Sequence, residues 1–477
     1  MFTATPTPDG PLLIRGATIL TMDRDLGEMA RGEILVRDGV VADVAPEIHL
    51  ADDGGVQVLE ASGKIVIPGF IDTHRHLWEG LLRNALPDAT LSDYFEMVNR
   101  RFGRVYEPED VYAGTLLSAL GALNAGVTTV LDWAHVQNSP AHTDASVAAL
   151  RASGIRAVFA FGPPLDDSRG QRYPDDLLRL RRGAFASDDQ LLTLALATMS
   201  PEHGSDDVVK RYWQTARQAS ARITVHAGIA GFGQKNQIER FGREGLLGPD
   251  VTLVHCGASS DAEWRIMADT GTTVSISTPI ELQMGHGAPP IQRALDAGIA
   301  PSLSVDVETS MPGDFFTQMR ATLAYQRGEA FAKAHAGLTA PRRIGVRDVL
   351  SFATVAGATA NGLAHKVGTI ARGRQADIVV LDPGINAIPI NDPVGAVVLG
   401  MDVSNVDTVL VAGRVVKHAG RLVGVDLATM RRNAEEARDR VVRNAGLERT
   451  WLGSVHGIVD HGDIGSPSPR APASTRS

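Results

Sequence analysis

The chain has 477 residues, 44% of them hydrophobic, and a formal net charge of -9 at pH 7. That size and apolar content suffice for a large α/β barrel with a smaller domain, and the acidic balance argues against nucleic-acid binding. A single cysteine, Cys256, excludes an internal disulfide framework and fits a reducing compartment.

The N-terminus, Met1 to Pro8, has neither a basic region nor an apolar stretch of the kind a signal peptide needs. No run of about 18 uncharged apolar residues reads as a membrane span. The expectation is a soluble cytoplasmic protein.

Residues Leu12–Arg15, Ala17–Thr21, Glu33–Val36 and Val40–Val44 read as short strands between turn signals, a small all-β piece over residues 1–66. From Val66 to about Ala360, apolar runs alternate with helical stretches, the pattern of a parallel sheet with crossover helices. Eight such runs stand out: Val66–His74, Val127–Trp133, Arg156–Phe161, Leu191–Thr198, Arg222–His226, Val251–His255, Thr272–Ser277 and Pro301–Asp306. Eight strands over this length predict an α/β fold, a (β/α)8 TIM barrel, spanning residues 67–372. Strand signals return at Gln375–Asp382, Val397–Leu399 and Val406–Lys417, so residues 373–425 are expected to complete one β-sandwich with the N-terminal strands. A charged amphipathic helix is expected over Leu427–Asn444. The Pro/Ser-rich end, residues 466–477, reads as disordered, so residues 426–477 are a helix and tail.

The chemistry concentrates at the ends of the apolar runs. The first closes on His74-Arg75-His76, and side chains two apart on a strand share a face, roughly 6.5 Å apart at Cα. Arg75 then points the other way. Taken alone, the pair is as readily two polar strand-end residues as a metal site. Three further ligand types close later runs: His226 the fifth, His255 the sixth and Asp306 the eighth. In a barrel those ends face one mouth, where such folds keep their active sites. Imidazoles with one carboxylate suit zinc, and also iron or nickel.

Pro68–Leu77, Ala125–Val130, Val225-His226, Leu253–Cys256, Val305-Asp306, Ala353–Ala360 and Gly368–Ile378 together resemble the amidohydrolase superfamily. They are similar to its branch of metal-dependent aminohydrolases, which includes cytosine, guanine and 8-oxoguanine deaminases and s-triazine chlorohydrolases. The resemblance covers residues 12 to about 420. It implies that His74, His76, His226 and Asp306 ligate one divalent metal per chain, zinc first, with iron or manganese as alternatives. It implies that His255 sits beside the activated water and the substrate. The fourth run, Leu191–Thr198, lacks the lysine that two-metal members carry, so a mononuclear site follows. A zinc ion lowers the pKa of water from about 15.7 towards about 7. Asp306 would take the proton of that water, and the expected reaction is hydrolysis of a non-peptide carbon–nitrogen bond in a small, cyclic molecule. The family's barrels often form dimers or higher assemblies, so a homo-oligomer is among the expectations.

Two departures stand against simple deamination. The branch usually places glutamate three residues after the fifth-strand histidine, where this chain has Ile229. After the seventh run it reads Ser277-Thr-Pro-Ile-Glu281, a carboxylate about where asparagine is usual. Glu281 is either a replacement acid/base or a loop carboxylate facing solvent. His135 and His286 are candidates to face the substrate. Trp78 and Trp133 either wall the pocket or pack beneath the loops. Cys256, next to His255, reads as buried core. The competing functions are a metal-dependent lyase such as a decarboxylase, and a non-catalytic barrel stabilised by metal.

Overall fold

Strands buried along most of their length build a parallel sheet in which each is bonded to the next in sequence. They are β1 Phe70–Arg75, β2 Val127–Ala134, β3 Arg156–Phe161, β4 Leu192–Thr198, β5 Arg222–Ala227, β6 Val251–His255, β7 Thr273–Ile276 and β8 Ser302–Leu303. Such near-continuous apolar runs are what a sheet covered by helices on one side and packed within a barrel on the other requires. The computed structural model describes residues 10–50, 55–198, 206–232 and 236–447; the tail expected at 466–477 lies outside them.

The barrel closes between β1 and β8 through side chains and single bridges. Thr73 Oγ1 donates to the Leu303 carbonyl at 3.0 Å and lies 2.9 Å from Ser302 Oγ. Beyond β8 the amide of Asp306 donates to the His74 carbonyl at 2.9 Å, and that of His76 to the Asp306 carbonyl at 3.0 Å. Regular pairing in β8 covers only Ser302–Leu303, less than the expected Pro301–Asp306, and the seam continues as the lone bridge Arg75↔Asp306.

A second, mixed sheet of nine strands combines both terminal segments. Its junction is Ile65–Pro68, which runs parallel to Leu12–Leu20 and antiparallel to Ile378–Leu381. The run Val66–His74, read above as one strand, is therefore two. The break is Gly69, where a Cβ would collide with the Thr128 side chain, so the chain can cross between sheets only without one. Val397–Leu399 is also corrected: it lies in the helical turn Ala396–Gly400, with Val397 and Val398 buried. Three apolar residues carry too little periodicity to separate strand from helix.

The sheets are clamped by a buried ion pair. Arg156, opening β3, donates from Nε and Nη2 to the two Asp377 oxygens at 2.8 and 2.9 Å. The charged helix spans Leu427–Asn444 as expected, its first turn capped by the Asp426 carboxylate. It buries Ala437, Val441 and Val442 against a loop cluster that holds Trp78, Tyr94, Phe102 and Tyr106. That cluster forms one side of the barrel mouth. Among the described residues no helix is long and apolar enough to cross a membrane.

Candidate active site

His74 in β1 and His76 just beyond it share the mouth side, and Arg75 between them turns away. Its Nε donates to Asp72 at 2.7 Å and its Nη2 to the Gly313 carbonyl at 3.1 Å. His226, on β5, brings Nε2 to 3.1 Å from His74 Nε2. Asp306 Oδ1 lies 3.1 Å from His74 Nε2 and 3.5 Å from His76 Nε2. His255, ending β6, holds Nε2 3.8 Å from Asp306 Oδ2. Ligand atoms of His74, His76 and His226 fall within 4.8 Å of one another, as do those of His74, His255 and Asp306.

Two of these residues have left-handed backbones, His255 at φ 76° and Asp306 at φ 68°. Such conformations cost about 1–3 kcal/mol each and persist where surroundings enforce them, often at functional sites. They follow from the sharp turn each chain segment makes on leaving its strand at the mouth.

The electrostatics set the charge states. Burial, reinforced by neighbouring histidines, holds His76 and His226 well below the usual imidazole range, and burial lowers His255 to about 4. Burial opposes ionisation of Asp306, but the His74 hydrogen bond and the surrounding histidine charges outweigh it and hold the carboxyl well below its ordinary value. His76, His226 and His255 thus stand as neutral imidazoles beside one carboxylate. The tautomer of His76 is fixed, because its Nδ1 donates to the Trp133 carbonyl at 2.9 Å and leaves a lone pair on Nε2. His74 is held through Nε2 by Asp306, and its Nδ1 is buried with no hydrogen-bond partner among the described residues.

Glu281 is not a solvent-facing loop carboxylate. It is 2% exposed, and its Oε1 lies 3.2 Å from His255 Nδ1 while accepting the Ser277 amide at 3.0 Å. Burial raises its carboxyl to about 8. His286 is buried beside them, its ring 4.5 Å from that of His255, with both ring nitrogens unpartnered.

A cavity of about 820 Å³, counted out to its open mouth, ends on His76, His226, His255 and Asp306. Trp133 and His135 are on its wall, as is Ile229, the residue in the glutamate position. Trp78, Glu281 and His286 are not among the lining residues. The Trp78 indole donates to His135 Nδ1 at 3.4 Å, and its ring packs edge-on against Tyr106. Residues that the sequence did not announce also line the cavity. Asn99 Oδ1 lies 3.1 Å from His135 Nε2, and Tyr94 presents its ring while its hydroxyl donates to the buried Glu79. Both come from the helical segment after β1, far from any strand end, so no motif pointed to them.

Residues 65–416 match the sequence profile of the Amidohydrolase family. A 5'-deoxyadenosine deaminase of Methanosarcina mazei is 26% identical over 444 residues, covering 90% of this chain and 98% of that protein. A 5-methylthioadenosine/S-adenosylhomocysteine deaminase of Acetivibrio thermocellus is 26% identical over 450 residues, 91% of this chain and all of that protein (100%). In fold, an adenosine deaminase from Xanthomonas campestris with bound zinc superposes with a TM-score of 0.78 at 23% identity, covering 92% of this chain and 100% of that one. A zinc complex of atrazine chlorohydrolase from Arthrobacter aurescens TC1 gives 0.77 at 22% identity, over 90% of this chain and 100% of that one.

Proposed function

This chain belongs to the amidohydrolase family, and from that premise we propose that its barrel mouth is a mononuclear metal site hydrolysing a non-peptide carbon–nitrogen bond in a small cyclic molecule. The family and the deaminase-named relatives support metal-dependent hydrolysis over a lyase or a non-catalytic barrel. The observation that carries the reading is the meeting of His74, His76, His226 and Asp306 around one point.

That donor set fits a divalent cation. Neutral imidazoles with one ionised carboxylate suit zinc, and also iron or manganese, and His76 already spends Nδ1 on a carbonyl so that Nε2 is available. His74, His76, His226 and Asp306 would hold the ion, and β4 offers no lysine for a second. When bound, the ion supplies a water acidified to near neutrality and a positive charge for the developing adduct.

The chain's own groups divide the proton work. Asp306, kept ionised, takes the proton of the attacking water at a carboxylate oxygen. His255 lines the cavity and lies 3.8 Å from Asp306 Oδ2, placed to pass a proton from Nε2 to the leaving nitrogen. Ile229 has no proton to give. Glu281 acts through His255, orienting the ring through Nδ1 and replenishing its proton.

The test is a screen of purines, pyrimidines, pterins, triazines and lactams with zinc-supplied protein in 18O-labelled water. Ammonia or an amine should be released, or a lactam ring opened to its amino acid, with label in the product, and a chelator should stop turnover. Carbon dioxide without label, or turnover indifferent to chelation, would replace this reading with the lyase or a metal-free route.

A further inference from the structure

The cavity wall away from the metal end is apolar over most of its area. Among the described residues Leu91, Phe95, Leu165, Phe232, Met284 and Val307 line it, and beyond the histidines and Asp306 no charged side chain does. Phe95 and Phe232 stack with centroids 5.0 Å apart. A charged substituent entering this apolar part would lose its water and meet no counter-ion among the described residues, a costly transfer.

The polar groups that remain are donors. The Trp78 indole can only donate, so His135 Nδ1 accepts from it. The competing Trp133 carbonyl, 3.4 Å from the same nitrogen, already receives His76 Nδ1 at 2.9 Å. His135 Nε2 therefore carries the proton and donates to Asn99 Oδ1 at 3.1 Å. With Oδ1 so engaged, the amide N–H groups of Asn99, a residue of the cavity wall, are what it has left to offer a ligand. Trp133 also lines the cavity, and its indole nitrogen, a donor only, is buried with no partner among the described residues. The Tyr94 hydroxyl is already committed to Glu79.

We infer that this site selects an uncharged heterocycle that carries hydrocarbon substituents and a carbonyl oxygen or ring nitrogen as acceptor for the Asn99 amide. Amino-acid or phosphate tails are excluded, and Asn99 is a specificity-determining residue. The inference rests on the hydrolase reading only for which end of the cavity reacts.

The test measures binding, without turnover, by calorimetry on zinc-supplied protein. The probes are 2-propylquinazolin-4-one, the anionic 4-oxoquinazoline-2-carboxylate, and S-adenosylhomocysteine. The neutral probe should bind at least about 30-fold more tightly than either charged one, an unpaired buried charge being the difference. Asn99→Leu should weaken the neutral probe about tenfold, the scale of one lost hydrogen bond to a buried acceptor. Asn99→Asp, which keeps shape but removes the donors, should do the same and guards against a folding defect. Comparable or tighter binding of a charged probe, no saturable binding of the neutral one, or indifference to both variants would overturn the inference. Absent turnover with this binding pattern intact would instead count against the hydrolase reading alone.

Discussion

His255 Nδ1 stands 3.2 Å from Glu281 Oε1, with both side chains buried, and His255 separates that carboxyl from the cavity. The relationship supplies a buried acid in a chain whose expected glutamate position is Ile229. Glu281→Gln keeps the volume and removes the proton. It should lower kcat about 100-fold or more with KM little changed, since general acid–base groups contribute about 10²–10⁴. It should also remove one limb of the pH–rate profile, which a purely structural role would leave in place.

The same burial fixes the sign of a stability effect in metal-free protein. Glu281 is raised from 4.5 to about 8 and Asp132 from 3.8 to about 7, so the folded chain binds more protons and stability falls as pH rises through each interval. His135 and His286 are lowered from 6.5 to about 4, and their contribution is lost as pH falls below 6.5. Between pH 7 and 8 Glu281 carries most of this dependence, because Asp132 is already about half ionised at pH 7. Urea denaturation should show stability declining there, and Glu281→Gln should flatten the slope. An unchanged slope would show that Glu281 is not the buried acid described.

Asp306→Asn removes the carboxylate at the centre of the histidine cluster. Turnover should drop about 10³-fold while the far-ultraviolet spectrum stays unchanged. Undiminished turnover would take Asp306 out of water activation.

Metal that binds only the folded chain must stabilise it. At a hundredfold excess over Kd, zinc should add about 2.7 kcal/mol, seen as a rise in Tm. His76→Ala and His226→Ala should each abolish most of that increment. A zinc response that survives both variants would place the ion elsewhere.

The Arg156–Asp377 pair ties β3 to the terminal-segment sheet, with both side chains buried. Arg156→Met strands a buried carboxylate and should cost about 3–5 kcal/mol in denaturant unfolding. Arg156→Met with Asp377→Asn should recover a large part, because the stranded charge is gone while the Ala412 amide keeps an oxygen acceptor. Equal instability of the single and double variants would locate the loss in packing instead.

Sequence alone determined the features that follow from local periodicity. Alternation on a strand puts His74 and His76 on one side and Arg75 on the other, and the close of each apolar run marks where His226, His255 and Asp306 leave the barrel. These are statements about residues at fixed spacing, which the chain carries wherever it folds. The helix at Leu427–Asn444 was legible for the same reason.

Only the tertiary structure decided what depends on neighbours remote in sequence. The strand Val66–His74 divides at Gly69 because Thr128, some sixty residues on, occupies the space of a side chain. Glu281 reads equally as a surface loop residue until the fold closes over it and sets it against His255, and desolvation then changes its chemistry. Trp78 and Asn99 are joined through His135, which contacts both across the mouth. Spacing along a strand is a covalent property of the chain, whereas burial and partnership are created by packing, and so the cluster of histidines with Asp306 was visible before the cavity that it borders.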